Sequence, residues 1–94
     1  MLSQLPINLG KVKKEDLDRE ILRLGMIAEL DAVSLYEQLA AMTDKEIIRK
    51  VLLDIAKEEK THIGEFQALL LEKDKEQEKE LIGGKKEVEE LKQK

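Results

Sequence analysis

The chain has 94 residues, no cysteine, 40% charged side chains and a net charge of −4 at pH 7. A chain of this length carries one domain with a modest core, so it is expected to complete that core by oligomerising. Without cysteine there is no disulfide framework, thiolate metal site or cysteine nucleophile. The interleaved charges leave no basic block to grip phosphates, so no nucleic acid is expected, and no apolar run reaches the roughly 20 residues that span a membrane.

Residues 1–12 contain Pro6 and Gly10 and read as an extended arm. The start has no basic run followed by an apolar core, so it is no secretory leader, and a cytoplasmic location is expected. The abundance of Glu and Lys suits a thermophile.

Residues 13–72 read as a helical hairpin. A first helix is expected from near Lys14 to about Met42. Its stripe is Leu22, Gly25/Met26, Glu29, Val33, Tyr36 and Ala40, at the three- and four-residue spacings of one helix face. A second stripe, Leu17, Ile21, Leu24, Ala28, Leu35 and Leu39, implies a second partner. Thr43-Asp44-Lys45-Glu46 has the S/T-x-x-E pattern of a capping box and marks the next helix start. That helix is expected from Asp44 to about Glu72, with Ile48, Val51/Leu52, Ile55, Glu59, His62, Phe66 and Leu69/Leu70 on one face. Two helices joined so closely fold back antiparallel. The fold class is therefore all-α: an antiparallel two-helix hairpin, half of a bundle, completed to four helices by dimerisation.

Residues 73–94 form a charged C-terminal segment. Lys73–Glu80 reads as a solvated charge run, Gly83-Gly84 as a break, and Lys85–Lys94 as a short amphipathic helix through Val88 and Leu91.

Three polar residues lie on the apolar stripes: Glu29, Glu59 and His62. Glu59-Lys60-Thr61-His62 is E-x-x-H, whose two ends share a helix face and reach one ion. In an antiparallel hairpin, residues equidistant from the turn are level. Glu29 is 15 residues before Asp44 and Glu59 is 15 after it. Both therefore sit about 22 Å from the turn at helical rise. Carboxylate and imidazole suit iron, manganese or zinc. A ferritin-like di-iron site takes one Glu from each of two helices and one E-x-x-H from each of two more. This chain supplies half of that set, so a twofold dimer supplies all of it, between two copies. A solvated polar pair on a surface helix is the plainer account of E-x-x-H; the apolar flanks Ile55, Ile63 and Phe66 and the level match with Glu29 weigh against it. Glu58, four residues before His62, competes with Glu59, but the level of Glu29 favours Glu59. Glu37, Glu65 and the remaining charges read as surface residues.

With these residues in hand, the chain resembles the encapsulated ferritins, ferroxidases packaged inside encapsulin nanocompartments. The resemblance rests on IAELDAVSLYEQLA (27–40) and LLDIAKEEKTHIGEFQALL (52–70). It implies that Glu29, Glu59 and His62 bind a di-iron centre between two subunits. It further implies that Tyr36 tunes or donates to that centre, where the plainer role is a core or interface aromatic. The assembly implied is a ring of five dimers, a decamer, that oxidises Fe²⁺ with O₂ and passes Fe³⁺ to the surrounding encapsulin shell. Of the family's extra carboxylates beside the first metal Glu, Asp31 fits one position for ion uptake and Ala28 does not fit the other. No shell-targeting tail follows Gly83-Gly84, which suits a domain excised from a shell fusion. Two alternatives stand beside the ferroxidase. One is a non-catalytic oligomerisation module whose polar trio fixes register. The other, weaker, is a rubrerythrin-like peroxidase.

Overall fold

The computed structural model describes residues 8–94, so most of the arm expected over 1–12 lies outside the described residues. Asn8 onwards is not extended throughout: short 3₁₀ turns form at Leu9–Lys11 and Lys14–Asp16. Three α-helices follow, α1 (Leu17–Met42), α2 (Glu46–Lys73) and α3 (Lys75–Lys92), with no strand among the described residues. This is the all-helical hairpin with a C-terminal helix that the periodicity called for. Neither 26-residue α1 nor 28-residue α2 contains proline, so each runs unbroken for about 40 Å.

The two long helices pack along their small and polar-free positions. Ala40 and Ala56 are each 2% exposed and Leu70 is 4% exposed. Small side chains at such points let helix axes approach closely. On α1 the first stripe faces inward, from half-buried Leu22 to buried Ala40. On the second stripe, Ile21, Leu35 and Leu39 remain exposed, as do Ile48, Val51 and Leu69 on α2. The chain has an accessible surface of 7480 Å², against about 5,500 Å² for a self-contained monomer of its mass.

The connection differs from the expected capping box. Helix α2 begins at Glu46, two residues after the expected Asp44, and its cap residue, Lys45, makes no side-chain cap bond. Thr43 Oγ1 accepts instead from the Lys45 N–H (3.1 Å), and the Glu46 carboxylate pairs with Arg49 (2.8 Å). Arg49 takes over the joint. Its Nε donates to the Ala40 carbonyl (3.2 Å) and its Nη2 to the Thr43 carbonyl (2.5 Å). The carbonyls left open at the end of α1 are thus satisfied by a guanidinium from the first turn of α2.

The C-terminal segment departs further from the reading above. Helix α3 takes in Lys75–Glu80 of the expected charge run and continues through Gly83-Gly84 without a break. Two glycines cost a helix only about 1 kcal/mol each, and the surrounding Glu and Lys are good helix formers. The break falls at Asp74. Its N–H closes α2 on the Leu70 carbonyl (2.9 Å), and its Oδ1 accepts from the Gln77 N–H (2.9 Å) to open α3. Asp74-x-x-Gln77 is itself a capping pattern. Asp74 is buried, and its Oδ2 accepts from Arg23 Nη2 of α1 (2.6 Å). The Gln77 amide, and then the Arg23 guanidinium, hold the Asp74 carboxyl below its ordinary pKa against the opposing effect of burial. None of the residues of α3 is buried, and Leu81, Ile82, Val88 and Leu91 are exposed.

Candidate metal centre

Antiparallel packing brings Glu29 of α1 against the E-x-x-H of α2. His62 Nδ1 lies 3.4 Å from Glu29 Oε2 and 3.5 Å from Glu59 Oε2. One donor atom from each of the three residues falls within 4.8 Å of the others, the spacing of ligands around one ion. The Glu29 and Glu59 side chains are 20% and 19% exposed, whereas His62 is 44% exposed. The site therefore has a shielded carboxylate floor and a more open imidazole wall.

Glu29 Oε2 is itself fully buried and has no hydrogen-bond partner. A buried carboxylate oxygen left unpaired is costly, so native structures supply it with a donor or a cation. The donor set fits a borderline or hard transition ion: two anionic oxygens and one imidazole nitrogen, with no sulfur. It is short of the ligands that a six-coordinate ion needs, and it opens on the His62 side.

The helix faces that hold the trio depend on one close approach. A Cβ built at Gly25 would stand 2.9 Å from Phe66 Cε1. Only glycine lets the Phe66 ring lie against α1 there, one turn beyond His62 on the same face of α2. Gly64, by contrast, has nothing within 4 Å of an added Cβ. Across the hairpin, Lys60 Nζ, from within the E-x-x-H turn, pairs with Glu37 of α1 (3.0 Å). Both are exposed, so the pair contributes little.

The other singled-out residues stand apart from the trio. Tyr36 is half-buried on α1, two turns beyond Glu29, and does not line the cavity at the trio. Asp31 is half-buried and Ala28 half-buried on the same helix. Glu58 is exposed and lies outside the group of three. The sequence reading treated Glu65 as an ordinary surface charge. The structure places it on the wall of a cavity of about 310 Å³ that Glu29, His62, Phe66 and Leu69 also line. The signal for it was present, since Glu59, His62 and Glu65 form one row at three-residue spacing.

Among the described residues, no helix is long and apolar enough to cross a membrane. The sequence profile of the Rubrerythrin family matches residues 20–94. The chain is 56% identical to a ferritin-like-encapsulin shell fusion protein of Pyrococcus furiosus, over 97% of this chain and 27% of that protein. It thus spans about a quarter of the length of that relative. It also superposes on the crystal structure of the encapsulated ferritin domain from Pyrococcus furiosus with a TM-score of 0.82 and 55% identity, covering 97% of this chain and 95% of that one. Helix α3 lies inside both the profile match and the superposition, so it is part of the shared fold. By fold, family profile and identity, the chain belongs to the Rubrerythrin family and, within it, to the encapsulated ferritins.

Proposed function

We propose that this chain is a ferroxidase whose di-iron site is shared between two copies. The observation that carries the reading is the trio: two carboxylates and an imidazole converging across the hairpin around a buried, unpartnered oxygen of Glu29. The trio holds half of the ligands of a ferritin-like di-iron centre, and a twofold pairing of two chains supplies the rest. The exposed apolar side chains Leu35, Leu39, Ile48 and Val51 give such a pairing its surface.

Fe²⁺ is the substrate. Two ions give one electron each to O₂, which takes up two protons and leaves as hydrogen peroxide, while the iron leaves as Fe³⁺. The chain's own residues bind and position. Glu29 and Glu59 hold the ions with anionic oxygen, which tolerates the gain of charge on oxidation. His62 supplies nitrogen, with the Phe66 ring on the wall of the same cavity. Tyr36, on the α1 face that bears Glu29, is assigned a tuning role. Tyr36→Phe should slow oxidation while leaving the bound ions in place. The ring of five dimers and delivery of Fe³⁺ inside an encapsulin shell, as the name of the fusion relative suggests, complete the proposal.

The test is anaerobic Fe²⁺ titration followed by native mass determination, then O₂ with optical monitoring. Two irons per dimer and a fast ferric absorbance are expected, both lost in Glu59→Ala. If the oligomer forms but binds no iron, the trio only fixes register, and the oligomerisation-module reading takes its place.

A further inference from the structure

The cavity beside the trio has a polarity gradient. Glu29 lies on its shielded side, His62 is partly open, and Glu65 is exposed. Apolar Phe66 and Leu69 make up the rest of the lining, so Glu65 is the one lining carboxylate outside the trio. Glu59 does not line this cavity, which therefore reaches the trio from the Glu29 and His62 side. Lys60, two residues before His62 on α2, pairs with Glu37 of α1. Glu65 has no ion pair among the described residues. It stands three residues after His62, which places the two side chains about 5–6 Å apart at their Cβ atoms.

From this placement we propose that Glu65 is a transit ligand, which takes a hydrated divalent cation at the cavity mouth and passes it inward to His62 and Glu29. The inference rests on the metal-binding reading of the trio and adds its route of loading. A hydrated cation that meets Glu65 exchanges a water for a carboxylate oxygen and loses little mobility, because the group is exposed. One helical turn further in, His62 and the unpartnered Glu29 oxygen offer better-shielded donors. A single negative charge at the mouth of a low-dielectric cleft also raises the local cation concentration. A transit ligand changes how fast ions enter and leave, and leaves the final complex as it was. Loading and release should slow by the same factor in its absence, with the dissociation constant unchanged.

The test uses the full chain and Co²⁺, which binds oxygen and nitrogen donors and is read by its visible spectrum without turnover. Stopped-flow loading, release into a chelator and equilibrium titration are compared for the native chain, Glu65→Gln and, as a charge control on exposed α3, Glu87→Gln. Glu65→Gln is expected to load and release Co²⁺ about tenfold more slowly, within the range that electrostatic focusing gives. The ion count and equilibrium spectrum should remain native, and Glu87→Gln should load at the native rate. Added salt should narrow the difference between native and Glu65→Gln chains. Native loading rates in Glu65→Gln overturn the transit role while leaving the trio intact. A lowered ion count or an altered spectrum in Glu65→Gln makes Glu65 a resident ligand, and this too overturns it. A native chain that takes up no Co²⁺ overturns the metal reading, and the transit role falls with it.

Discussion

The two regions of the hairpin treat their polar groups in opposite ways. At the turn, Arg49 satisfies the carbonyls of Ala40 and Thr43 and pairs with Glu46, so the joint of α1 and α2 is closed within the chain. Midway along the hairpin, three ionisable side chains converge, and the buried Oε2 of Glu29 has no hydrogen-bond partner. One region is built for a stable fold. The other leaves a buried carboxylate oxygen without a hydrogen bond, a cost that a bound cation would offset under the function proposed above. Glycine makes the same contrast. At Gly25 the missing Cβ is needed for Phe66 to pack, whereas Gly64, one residue past Ile63 on the outer surface of α2, meets nothing.

This comparison can be broken at the trio first, where the largest effect is expected. Glu29→Met removes the unpartnered oxygen and keeps the volume. Thermal unfolding without metal should show a gain of about 1–3 kcal/mol, the cost usual for an unsatisfied buried group. The stabilisation expected of the native chain on adding Fe²⁺ or Co²⁺ should vanish in this variant. A metal-free Glu29→Met chain less stable than native would show that the oxygen is not a strained one.

At the turn the sign reverses. Arg49→Ala should destabilise by about 1–2 kcal/mol, since hydrogen bonds from a charged donor to carbonyls are lost at a partly exposed site. Metal affinity should change little, because the trio is about 20 Å away along the helices. Urea unfolding and Co²⁺ titration on the same variant separate the two effects.

The glycine pair sharpens the contrast further. Gly25→Ala gains about 1 kcal/mol of helix propensity, but the clash with Phe66 costs about 1–3 kcal/mol, so a net loss of about 1 kcal/mol is expected. Gly64→Ala should gain about 0.5–1 kcal/mol, since only propensity changes. Equal shifts in the two variants would mean that Phe66 moves aside without cost.

The smallest effect is confined to α3 and to acid. The Asp74 carboxyl has a folded pKa below its ordinary value of 3.8, set by the Gln77 amide and then by Arg23. Its contribution is therefore fully present above that ordinary value and is lost as pH falls through the lower, folded value. The hydrogen-exchange protection factors of α3 amides, corrected for the intrinsic pH dependence of exchange, should fall below about pH 4. In Asp74→Asn, which still caps a helix but cannot pair with Arg23 as an anion, this acid dependence should be absent.

Much of this molecule was legible in one dimension. The three- and four-residue spacing of Leu22, Met26, Val33 and Ala40 requires a helix with that face inward, whatever surrounds it. The equal distances of Glu29 and Glu59 from the connection place the carboxylates level in any antiparallel hairpin, and the structure brings both within reach of His62. The capping box at Thr43 misled because Glu46 had a competing partner one turn away, Arg49, which a local pattern does not weigh. Gly83-Gly84 misled because a glycine pair breaks a helix only where the flanking residues offer no stronger preference. Asp74-Lys75-Glu76-Gln77 held the true boundary in the same capping grammar, hidden in a charge run.

The sequence by itself determined α1 and α2, their pairing and the level of the trio, because periodicity and chain length act locally and an antiparallel turn adds only a count of residues. Only the tertiary structure decided that Arg49 closes the turn, that Asp74 anchors α3 on Arg23, that Phe66 needs Gly25, and that Glu65 shares a cavity with His62 and Glu29. Each of these depends on where a long side chain ends after two or three helices have packed, and the rotamer that brings it there is chosen by neighbours distant in the chain.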